Sequence, residues 1–107
     1  MQQMTAPELA AWLADTSRAQ PVLLDVREPR EHQTCMIKGS IPIPMNTIPS
    51  RLSELEPDAP IVCICHHGAR SMQVANFLEH NGFANMVNLT GGIHAWAQQV
   101  DPSMPTY

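Results

Sequence analysis

Short apolar runs separated by helix-patterned segments are what most constrain this chain. PVLLDV (residues 21–26), IVCIC (61–65) and NMVNL (85–89) are continuous apolar stretches, and SIPIP (40–44) is a weaker fourth. None alternates polar with apolar as a half-exposed strand would, so each suits a strand covered on both faces, as in a parallel sheet. The segments between them carry helical spacing. In TAPELAAWLAD, Leu9, Trp12 and Leu13 share one face, and Thr5 with Glu8 forms a capping box at the start. RSMQVANFLEHNG places Val74, Ala75 and Leu78 on one face and stops at Asn81-Gly82. TGGIHAWAQQV follows the last run. Strand and helix alternate, which predicts an α/β domain with a mostly parallel sheet. Such sheets present ligands at the carboxyl ends of their strands, where Asp25 and Cys65 stand.

The segment Cys65-His66-His67-Gly68-Ala69-Arg70-Ser71 leaves a buried strand and enters a helix near Ser71. Successive backbone N–H groups in such a turn converge on an anion, and the helix N-terminus adds unsatisfied donors. Gly68 supplies a residue able to take positive φ. A cysteine at the rim is expected to react as the thiolate, because that form is the one solvated. The alternative for Cys65 is an inert strand cysteine, and the polar residues that follow it at once argue against that. Cys63, inside the apolar run, is expected to pack as a small hydrophobe. C-x-C-H-H has the wrong spacing for zinc, lacks the C-x-x-C of a redox dithiol, and is no phosphate-binding P-loop. His66 and His67 read either as solvated loop residues or as a lining for an anionic sulfur species. His32, His80 and His94 suggest no role.

With 107 residues, the chain has the size of one domain, residues 1–107, with 101–107 (DPSMPTY) read as a loose tail. The net charge is −4 and no basic patch is visible, which argues against nucleic-acid binding. No apolar run approaches a membrane span, and the start lacks the pattern of a signal peptide, so no membrane association and a cytoplasmic location are expected. Three cysteines cannot all pair, which fits a reducing compartment. From Leu52 onward Arg70 is the single Lys or Arg, and a guanidinium there can grip an oxyanion with two prongs.

These residues resemble the rhodanese sulfurtransferases of the small single-domain type. LLDVREPREH (Leu23 to His32) is similar to the first signature of that family, with Asp25, Arg27 and Glu31 matching. CHHGAR is similar to its active loop, and LTGGIHAW (Leu89 to Trp96) to its C-terminal signature, with Gly91, Gly92 and Trp96 in place. The resemblance implies a three-layer fold: a central sheet of about five mostly parallel strands with helices on both faces. The loop reads C-x4-R, the length that in the superfamily implies sulfur transfer; C-x5-R implies a phosphatase or arsenate reductase. A non-catalytic partner-binding module is the other alternative.

The resemblance further implies a cycle in which Cys65 takes a sulfur from a donor such as thiosulfate and passes it to cyanide, a cellular thiol or a thioredoxin-like acceptor. The loop from His66 through Gly68, Ala69 and Arg70 to Ser71 would bind donor and persulfide, without metal or organic cofactor. Asp25 and Arg27 are expected to brace the site, with Arg27 able to pair with Glu31 at i+4. One departure stands out. Cys35 occupies a position where the family usually has a glycine, and a left-handed helix end is expected there.

Overall fold

A computed structural model describes all 107 residues. Five strands form one sheet, with β1 at Gln2–Met4, β2 at Val22–Asp25, β3 at Ile41–Pro42, β4 at Ile61–Ile64 and β5 at Met86–Leu89. Their order across the sheet is β1-β5-β4-β2-β3, and every pairing is parallel. The helices are α1 (Ala6–Ala14), α2 (Pro29–Thr34), α3 (Ala69–His80) and α4 (Gly92–Gln99). Two short 3-10 turns, Met45–Ser50 and Leu52–Glu54, connect β3 to β4. No helix is long and apolar enough to cross a membrane.

The strands β4 and β5 are buried at every position, as continuous apolar runs require. Alternate residues of β4 feed two separate cores. Val62 and Ile64 pack with Leu9 and Trp12 of α1 and Ile93 and Trp96 of α4. Ile61, Cys63 and Cys65 pack on the other face with Val74, Ala75 and Leu78 of α3 and with Ile48. The result is a three-layer α/β fold. Cys63 and Cys65 do point the same way, as their spacing requires. Burial, followed by the nearby Cys65, pushes the Cys63 thiol up to about 12, so it stays protonated packing material.

Local signals account for most boundaries. The Thr5 side chain accepts from the Glu8 N–H, and the Glu8 carboxylate accepts from the Thr5 N–H at 2.9 Å, completing the capping box. Helix α3 ends at His80, and Gly82 turns the chain at φ +89°. Two details differ from the sequence expectation. The fifth strand is β1, which pairs with β5 although two of its three residues are exposed. Cys35 is extended, with φ −161° and ψ 149°, so its position demands no left-handed residue and a cysteine fits there unstrained.

Candidate active site

Cys65 follows the last residue of β4, and the loop from it to Arg70 is set by contacts with the strand β5–helix α4 junction. The Ile93 N–H donates to the Cys65 carbonyl (2.8 Å) and the His94 N–H to the His66 carbonyl (3.0 Å). These are orphan donors of the first turn of α4, so the loop carbonyls cap that helix. With its carbonyls drawn that way, the loop leaves N–H groups for its concave side. The Gly68 N–H donates to Cys65 Sγ at 3.0 Å. The N–H groups of His66, His67, Ala69, Arg70 and Ser71 have no partner within the protein. Gly68 takes φ +106° at the N-cap of α3, the conformation that turns the loop into the helix.

Close approach of the two loops depends on Gly92. At φ +61°, a Cβ there would stand 2.4 Å from the Cys65 carbonyl oxygen and 2.5 Å from that of His66. Gly92→Ala is therefore expected to cost about 1–2 kcal/mol in backbone conformation alone and to push the loop off its bed. Denaturant titration should show the loss of stability, and iodoacetamide labelling should show altered Cys65 reactivity. Wild-type values in both measurements would contradict this account of the loop.

Cys65 is buried, with 1% of its surface exposed. Its sulfur lies 3.3 Å from Ser71 Oγ, and the Ser71 hydroxyl reaches Asn88 Oδ1 at 2.5 Å. The Asn88 amide donates to Gln3 Oε1 and to the Gly68 carbonyl, which fixes its orientation. Asn88 carries no motif signal in the sequence, although its place in an otherwise apolar strand marks it as a buried polar group needing partners.

Arg70 stands beside the loop, but its fork is taken. Nη1 and Nη2 donate to Glu31 Oε1 and Oε2 at 2.8 and 2.9 Å. These bonds hold the Glu31 carboxyl well below the usual carboxylate range, and in return keep the guanidinium charged. The expected Arg27–Glu31 ion pair does not form. Arg27 precedes α2, whose N-cap is Glu28, so helical i+4 spacing does not apply to it. Instead Arg27 grips Asp25 through Nε–Oδ1 (2.9 Å) and Nη2–Oδ2 (2.7 Å), both side chains being fully buried. Its remaining donors reach the Cys35 carbonyl, the Glu31 carbonyl and the Tyr107 hydroxyl. This pair ties the end of β2 to the far end of α2.

The segment read as a loose tail places Tyr107 against the site. Its ring stacks on His66 with centroids 4.0 Å apart, and its hydroxyl donates to Glu31 Oε2 at 2.7 Å. Burial, partly offset by the Arg27 hydrogen bond, pushes the phenol up to about 12, so it remains a donor. The His66 and His67 ring centroids lie 4.1 Å apart with the rings tilted by 35°, and His94 lies 5.0 Å from His67. Burial and then the neighbouring His67 lower the His66 pKa, which favours a neutral ring. No three His, Cys, Asp or Glu side chains converge as metal ligands do.

Comparison with known proteins decides the family. The profile of the rhodanese-like domain matches residues 5–99. The chain belongs to the rhodanese-like domain family. A sulfurtransferase of Allochromatium vinosum is 38% identical over 96 residues, covering 90% of this chain and 88% of that protein. The rhodanese-like/PpiC domain-containing protein 12, chloroplastic, of Arabidopsis thaliana is 43% identical over 89 residues, 79% of this chain, but the chain spans only 30% of that protein's length. The crystal structure of a rhodanese-like domain protein from Staphylococcus aureus superposes with a TM-score of 0.83 at 34% identity, over 90% of this chain and 91% of that one. This rhodanese-like domain thus has relatives named as sulfurtransferases, and it carries a cysteine at the start of its loop.

Proposed function

We propose that this rhodanese-like domain transfers sulfane sulfur through a persulfide on Cys65. The observation that carries the reading is the loop itself: one N–H already donates to Cys65 Sγ, and five further N–H groups have no partner in the protein. Such a ring suits a negative terminal sulfur held just beyond Sγ. With thiosulfate as donor, the Cys65 thiolate attacks the outer sulfur. A new S–S bond forms, the old one breaks, and sulfite departs with the electron pair. The acceptor nucleophile then attacks the terminal sulfur of the persulfide and returns Cys65 as the thiolate. Cyanide would leave as thiocyanate, and a thiol or a thioredoxin-like protein would leave as its own persulfide. No net oxidant or reductant is consumed.

Steady-state kinetics with thiosulfate and cyanide test this. Two half-reactions sharing one covalent intermediate give parallel double-reciprocal lines, and hydrolysis of a phosphate monoester should be absent. Phosphatase activity without thiocyanate formation would overturn the proposal.

A further inference from the structure

The Glu31 carboxylate sits where an anionic donor would be gripped. All four of its hydrogen bonds come from groups around the site: Arg70 Nη1 and the Glu28 N–H on Oε1, Arg70 Nη2 and the Tyr107 hydroxyl on Oε2. Neither Arg27 nor the histidine lining offers a ready replacement for Arg70. Arg27 is fully buried and committed to Asp25, and the lowered His66 pKa favours a neutral ring in the loop lining. Arg70 and Glu31 cancel, as do Arg27 and Asp25, so these four charges leave the site no net positive charge for a dianion. An open hollow of about 300 Å³, lined by Arg30, Glu31, Thr34 and Tyr107, adjoins the pair. It gives Glu31 somewhere to go when displaced.

Building on the proposed persulfide chemistry, we infer that Glu31 is a specificity-determining residue, an internal competitor for Arg70 that disfavours dianionic donors such as thiosulfate and favours thiol-borne persulfides. The reasoning is one of exchange. A sulfonate head can take the two Arg70 N–H groups that hold Glu31 only by displacing two charge-assisted bonds to a carboxylate that remains ionised and is also held by the Tyr107 hydroxyl. A thiol persulfide needs no such exchange. Its outer sulfur is attacked by the Cys65 thiolate, the S–S bond to the carrier breaks, and the carrier leaves as a thiolate with the electron pair. Glu31 stays on Arg70 throughout.

Glu31→Gln tests the inference cleanly, because glutamine removes the charge but still completes the cap on the Glu28 N–H. The expected result is a KM for thiosulfate lowered about tenfold, with the rate from glutathione persulfide changed less than about twofold. A readout independent of turnover is protection of Cys65 from iodoacetamide by sulfate, whose half-protecting concentration should fall by a similar factor. Tyr107→Phe, which removes one of the four bonds, should shift both values the same way by about two- to threefold. Should Glu31→Gln fail to fold by circular dichroism, the Tyr107→Phe result decides. Unchanged or higher thiosulfate KM and sulfate concentrations in folded variants would overturn the inference, leaving Glu31 a scaffold residue. If no variant forms a persulfide from either donor, the sulfur-transfer proposal fails, while the sulfate protection still judges the competition at Arg70.

Discussion

Cys65→Ser is expected to lower thiocyanate formation by at least about a thousandfold, because it removes the only atom on which a persulfide would form. The protein should stay folded, within about 1 kcal/mol of wild type. A serine hydroxyl at this buried position keeps the Gly68 N–H as donor and Ser71 as neighbour, so no polar group is left orphaned. The other two cysteines offer no substitute. Cys63 is enclosed in the core with a raised pKa, and Cys35 is buried against Arg27 on the other side of the sheet. Rates of the variant and wild type, measured beside their circular dichroism, check this. Retention of more than a few per cent of the activity would move the chemistry to another residue.

Arg27→Ala should produce the largest loss of stability, about 3–5 kcal/mol, the usual consequence of leaving one member of a buried ion pair uncompensated. Out of a total of about 5–15 kcal/mol for a domain, that is a large fraction. After the truncation Asp25 would keep only the Arg27 N–H, at 3.1 Å, and the Cys35 carbonyl and Tyr107 hydroxyl would each lose a donor. Arg27→Lys should recover only part of this, since one ammonium cannot serve partners lying in so many directions. Replacing both charges, as D25N/R27M, should be milder than Arg27→Ala alone, because no bare carboxylate remains. Urea titration of the three variants gives the comparison. A loss below about 1 kcal/mol for Arg27→Ala would mean the pair adds nothing to the fold.

The parts of this molecule legible in its sequence are those whose cause is local. Continuous apolar runs declared β2, β4 and β5, and the Thr5–Glu8 cap declared α1, because the groups responsible lie within a few residues of one another. The turn from β4 into α3 was legible for the same reason, its glycine standing a few residues after the strand and at the N-cap of the helix. Partnerships across the fold were not. Glu31 and Arg70 are 39 positions apart, and Tyr107 lies 76 positions from Glu31. No periodicity relates such residues. Helical spacing paired Arg27 with Glu31, but the helix starts after Arg27 and its buried neighbour Asp25 claims it. Strand β1 was hidden because three residues, mostly exposed, carry too little pattern. His94 showed no partner in sequence, yet its N–H holds the loop and its ring closes the histidine group.

The central claim is that Cys65 carries the sulfur, and mass spectrometry of the protein after exposure to excess thiosulfate or to glutathione persulfide tests it most directly. The account predicts a gain of one sulfur atom, mapped to the peptide containing Cys65, discharged by cyanide and absent from Cys65→Ser. An unchanged mass with both donors, or a sulfur found on Cys35 or Cys63 instead, would contradict it.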